Sequence, residues 1–88
     1  MGRGRVLMEP DWRELSERLM RMTMRQLRKV GGRWFSGMMG GASAKGEYVQ
    51  TMVGQMRDWW LSCVEEGGRE RVGNVLKTII EIEEVANG

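Results

Sequence analysis

Histidine is absent from the 88 residues. With it go the commonest general base and the commonest zinc ligand. Other residue types do not fill the gap. No paired carboxylates stand away from a helix end, no set of side chains has metal-ligand spacing, and no nucleophile has a base beside it. An enzyme is therefore not expected, nor is a metal or organic cofactor. Cysteine occurs once, at Cys63, so no intrachain disulfide can form. Cys63 falls on the apolar side of a predicted helix, where a small core hydrophobe is the simpler reading and a reactive thiol the alternative. No apolar run approaches the ~18 residues that a membrane-spanning helix needs. The basic start is not followed by the apolar core of a signal peptide, and Val6 stands where a myristoylation signal needs Ser or Thr. The expected setting is cytoplasmic and reducing, with no membrane partner. Internal repeats and low-complexity segments are also lacking.

What is present reads as one small domain. A chain of this length buries only about 60–65% of its unfolded surface, so its core is thin. Hydrophobic content of 41% and charged content of 30% are ordinary for a globular protein. The net charge of +2 implies little, but its distribution is uneven. Residues 1–45 hold ten Lys/Arg and four Asp/Glu, whereas residues 46–88 hold four and eight. Such asymmetry suggests an electropositive face, or an attraction between halves or between subunits.

Residues 1–8 read as a flexible basic arm, and 9–88 as a single helical domain. Arg3-Gly4-Arg5 has the core of a minor-groove reader, arginines on a slim backbone, which makes Arg3 and Arg5 candidates for a minor-groove arm. It resembles the AT-hook core without the following proline. A solvated start is the plainer alternative. Pro10 suits the first turn of a helix over about 10–21, with Asp11 and Glu14 near the positive end of its dipole. Trp12, Leu15, Leu19 and Met22 form its apolar face. Arg13 with Glu17, and Glu14 with Arg18, stand at ion-pairing separation.

The centre of the chain is the stretch from Met22 to Met56. Thr23-Met24-Arg25-Gln26 is a capping box. Met24, Leu27, Val30 and Trp34 repeat with helical spacing, beside a basic stripe of Arg25, Arg28, Lys29 and Arg33 that Arg18 and Arg21 are placed to extend; it is either a phosphate-binding face or a solvated one. The helix is expected to end near Phe35, with Gly37 as a left-handed residue and Met38 after it. Gly40-Gly41-Ala42 leads to Ser43, a good N-cap for the next helix. Gly31, Gly32 and Gly54 each cost about 1 kcal/mol against Ala in a helix interior, so helices running through them imply close packing. The segment Gly40 to Lys45 is not a Walker A loop, since Ala44 and Gly46 flank the lysine. It retains the elements of a more general anion site, the N–H groups of a helix start beside Lys45, with an ordinary N-cap and a solvated lysine as the alternative.

Thr23, Met24, Leu27 and Arg28, followed by Gly41, Lys45, Tyr48 and Val49, resemble the SAP and Rho N-terminal class of helix–extended-loop–helix modules. The resemblance spans residues 22–56. It implies a small DNA- or RNA-binding element of the kind found as an accessory part of larger or mobile-element proteins.

Val49, Met52, Val53, Met56, Trp60 and Cys63 define the next helix, which Glu65-Glu66-Gly67-Gly68 ends. Trp12, Trp34, Trp59 and Trp60 lie on or next to apolar stripes, as core residues would. Trp59 and Trp60 point about 100° apart on a helix, so one of them is free to stack on a partner or a base. The nine methionines suit an adaptable core or a forgiving protein-binding surface. The last helix, from 69 or 70 to 86, carries Val72, Val75, Ile79, Ile82 and Ala86 in heptad spacing, widened by Leu76 and Ile80. This stripe is either core or the seam of a homodimer; two heptads fall short of a coiled-coil signal.

These readings predict an all-α bundle of three main helices plus a short leading one. The first functional expectation is a nucleic-acid-binding accessory module, DNA rather than RNA, contacting phosphates through Arg25, Arg28, Lys29, Arg33 and Lys45. The second is a protein-interaction protein of phage or mobile-element type, for example an inhibitor of a host nucleic-acid-guided defence complex. Trp59, Trp60, Val72, Val75, Ile79 and Ile82 would then be its interface.

Overall fold

Local backbone hydrogen bonding dominates the described residues, 9–35 and 44–87 of a computed structural model, most of which are helical. They form four helices: α1 (Trp12–Arg21), α2 (Met24–Trp34), α3 (Lys45–Glu66) and α4 (Arg69–Asn87). No strand occurs among them. The all-α bundle is as expected, with α2 hardly longer than α1, at 11 residues against 10. Arg3, Arg5, Gly37, Met38 and the Gly40–Ser43 turn lie outside the described residues.

The caps set the boundaries. Asp11 caps α1, its Oδ1 accepting from the Glu14 N–H at 3.1 Å, so Pro10 precedes the helix instead of opening it. The capping box at Thr23 is complete: Thr23 Oγ1 accepts from the Gln26 N–H at 3.1 Å, and Gln26 Oε1 accepts from the Thr23 N–H at 2.9 Å. It breaks the chain between α1 and α2, as the sequence signal implies. The cap position of α3 is Ala44 and not the expected Ser43. Alanine offers no acceptor, and only half of a box remains, Glu47 Oε1 accepting from the Ala44 N–H at 3.3 Å. The end of α3 is Gly67, whose φ of 70° is the left-handed conformation that glycine adopts without penalty. The Cys63 thiol donates to the Gly68 carbonyl, and Arg71 to Ser62 Oγ at 2.9 Å, bracing this turn into α4.

Helix α3 is the spine. Its 22 residues run about 33 Å at 1.5 Å per residue, and it packs on each of the other three helices. Leu15, Leu19 and Met22 of the first helix and its end, Leu27 and Val30 of α2, and Val75 and Ile82 of α4 meet Val49, Met52, Val53, Met56 and Trp60 of α3. Two aromatics not assigned to the core from periodicity also belong to it. Phe35, just past α2, is 1% exposed, and Tyr48 is 6% exposed. Tyr48 explains Gly31: a Cβ there would lie 2.9 Å from the tyrosine ring carbons. The close approach inferred from the helical glycines is thus real at Gly31. At Gly32 and Gly54 it is not, since nothing stands within 4 Å of a built Cβ.

On α4, Val75, Thr78 and Ile82 are buried, and Val72, Ile79 and Val85 pack against the core. The Thr78 hydroxyl donates to the Asn74 carbonyl at 2.6 Å, which lets a polar side chain sit fully buried. Leu76 and Ile80, expected to widen the apolar stripe, are 41% and 56% exposed. At 100° per residue they stand about 100° and 140° round the helix from Val75. Ala86 is exposed as well.

Candidate nucleic-acid interface

The buried side of α2 is Leu27, Val30 and Gly31. Helical geometry therefore turns Arg25, Arg28, Lys29 and Arg33 outward, and all four are exposed. They are not equivalent. Arg33 Nε stands 3.6 Å from Glu81 of α4. The same carboxylate, 14% exposed, also accepts from Trp34 Nε1 at 2.7 Å. Arg25, Arg28 and Lys29 have no ion pair or hydrogen bond through their side chains among the described residues. Arg25 sits in the first turn of α2, where the positive end of the helix dipole disfavours a cation by a few tenths of a kcal/mol, about 0.3 or more. No ion pair among the described residues offsets that cost.

The expected extension of the stripe through Arg18 fails. Arg18 is held by Glu83 of α4 at 2.8 Å and approaches Glu14 at 3.9 Å. Arg21 is exposed and unpaired among the described residues. The companion pair Arg13–Glu17 does not form an ion pair; each side chain points to solvent.

Between α2 and α4 runs an open groove of about 860 Å³. Arg25, Lys29 and Arg33 form one wall and Lys77, Ile80, Glu81 and Glu84 the other, with Trp34 and Val85 beneath. Arg28 lies outside it. Gln26 closes one end, since its Nε2 donates to the Val85 carbonyl at 3.2 Å while its Oε1 serves the capping box. Lys77 is a cation that the sequence reading did not select. It is the one basic residue from 72 to 88, and periodicity gave no reason to bring it opposite α2. The opposite charge of the two halves points to the α2–α4 contact through Arg33 and Glu81, but not to Lys77, which brings a like charge to it.

Lys45 does not line the groove. It is partly buried at the start of α3, and the anion facing that helix start is the protein's own Glu47 carboxylate. A phosphate there would have to compete with it, so Lys45 drops out of the set that shares one surface.

The residues assigned to a protein interface are mostly interior. Trp60 is 4% exposed, and Val75 and Ile82 are fully buried. Val72 and Ile79 pack on the same core. Trp59 stacks on Phe35, with ring centroids 5.4 Å apart and planes 19° from parallel. The divergence of the adjacent tryptophans is as read, but the second ring finds its stacking partner within the chain. The heptad of α4 is core because α3 and α2 both lie against it.

Among the described residues no helix is long and apolar enough to cross a membrane, and no group of three or more His, Cys, Asp or Glu could hold a metal ion. Fold and surface together define a small all-α bundle with an exposed basic helix face. No protein-family model matches the chain, and no curated protein or solved structure matches it either.

Proposed function

We propose that the protein is a nucleic-acid-binding accessory module, with DNA favoured over RNA, that docks on phosphates through α2. One observation carries this reading. Arg25, Arg28 and Lys29 remain exposed and have no carboxylate partner among the described residues, whereas Arg33 and Arg18 are each met by a glutamate of α4. Unmatched cations on consecutive turns of one helix are the arrangement that releases counterions from a polyanion. The resemblance of residues 22–56 to SAP-like modules supports the same reading, as do the capped start of α2 at Thr23 and the buried Leu27.

Fluorescence anisotropy with a labelled duplex, titrated with salt, tests it. Three phosphate contacts predict a log–log salt slope of about −3. The double variant Arg28→Glu/Lys29→Glu is expected to lose binding with its far-UV helical signal unchanged. Retained binding overturns the proposal.

A protein-binding role is the second reading. Exposed Val64 (71%), Leu61 (42%) and Leu76 (41%) favour it, in place of the buried residues first assigned. If nucleic acid fails to bind even at low salt, Val64→Ser and Leu76→Ser are the variants to compare in partner capture.

A further inference from the structure

The groove between α2 and α4 mixes charge in a way that a plain phosphate-binding surface would not. Arg33 and Glu81 neutralise one another across it. Arg25 and Lys29 on one wall and Lys77 on the other keep no partner among the described residues, and Glu84 likewise has no ion pair. Ile80 lies between Lys77 and Glu84 in the lining and is 56% exposed. An apolar side chain thus has a cation on one side and a carboxylate acceptor on the other.

We infer that this groove takes a single-stranded stretch of nucleic acid, with phosphates on Arg25, Lys29 and Lys77 and a base lying on Ile80. The inference rests on the nucleic-acid reading and narrows its ligand. A duplex is disfavoured within the groove on electrostatic grounds and meets Arg25, Arg28 and Lys29 only from the outer face of α2. It carries a charge every ~1.7 Å along its axis and cannot keep its phosphates away from Glu81 and Glu84. A single strand has free backbone torsions. It can set phosphates against the cations and turn an unstacked base toward the carboxylates. A volume of about 860 Å³ suits one or two nucleotides and falls in the range of about 300–1,000 Å³ usual for ligand clefts. A carboxylate accepts from an exocyclic amino group, as glutamate does from cytosine N4, and thymine offers no such donor. Glu84 therefore favours amino-bearing bases.

The test compares labelled oligo-dC, oligo-dT and a duplex of the same length, with the wild-type chain and three variants. Lys77→Ala and Ile80→Glu change exposed side chains and are expected to keep the helical signal. Lys77→Ala should weaken oligo-dC binding several-fold and make its salt slope less negative by about 0.7. Ile80→Glu should weaken it by about tenfold or more, the loss of a base platform and a gain of like charge. Neither should alter duplex binding. Arg28→Ala, outside the groove, should weaken duplex binding and leave oligo-dC binding nearly unchanged. Oligo-dC should bind more tightly than oligo-dT. Equal binding of strand and duplex, unchanged by Lys77→Ala and Ile80→Glu, overturns the groove and leaves the basic face standing. Binding of neither removes the nucleic-acid reading itself.

Discussion

Gly31 and Gly32 are neighbours in one helix with opposite reasons for being glycine. At Gly31 the missing side chain makes room for Tyr48, while beside Gly32 there is open space. Gly32→Ala should therefore raise stability by about 0.5–1 kcal/mol, the helix-propensity difference. Gly31→Ala gains the same propensity but forces Cβ into a buried ring, an overpacking cost of about 1–3 kcal/mol. It should be neutral to destabilising by roughly 2 kcal/mol. Urea denaturation of the two variants checks this, and equal midpoints would show that Tyr48 yields without cost. Helix propensity alone penalises both glycines equally, which is why sequence reasoning grouped them with Gly54. Only the ring packed against one of them tells them apart.

A single side chain joins two elements at Gln26. It completes the cap of α2 and also ties the last turn of α4 through the Val85 carbonyl. Capping was legible because the box is a four-residue pattern; the reach to α4 was not, being 59 residues away. The two roles separate by substitution. Gln26→Ala should cost about 1–2 kcal/mol by losing both. Gln26→Glu keeps an N3 acceptor but loses the donor and sets a negative charge against the negative end of α4, so it should still cost about 1 kcal/mol. Thermal unfolding distinguishes them; full stability of Gln26→Glu would mean that the Val85 contact contributes nothing. The start of α3 teaches the converse. Ser43 was the better cap by type, yet the helix begins after Ala44 and leans on Glu47 instead.

Across the whole molecule, the basic first half and the acidic last half meet within one chain. The molecule extends 45 × 26 × 20 Å, and α3, about 33 Å long, packs on each of the shorter helices. Arg18 to Glu83 and Trp34 to Glu81 span 65 and 47 residues of sequence. Intramolecular pairing is thus realised here out of the alternatives that charge counting left open. The α4 heptad is likewise used inside the chain. Val75→Asp or Ile82→Asp should each cost about 3–5 kcal/mol as an unpaired buried charge, of the order of the ~4–13 kcal/mol total stability of a domain this size. Circular dichroism should show loss of helix for both. A folded variant with only an altered assembly state would restore the seam reading.

The sequence by itself determined the helices, most of their ends and most of the apolar face of each. Those properties depend on bonding within four residues and on a 100° step, both readable along the chain. The basic character of α2 was determined in the same way. Only the tertiary structure decided which cations are free. Arg33 and Arg18 are matched by α4, whereas Arg25, Arg28 and Lys29 have no partner among the described residues, and Lys77 joins the groove that Arg25 and Lys29 line. The physical reason is that a charge pair across two helices depends on their separation and crossing, to which side-chain periodicity is blind. A helix face specifies that it will be covered; the packing of α3 and α4 specifies by what.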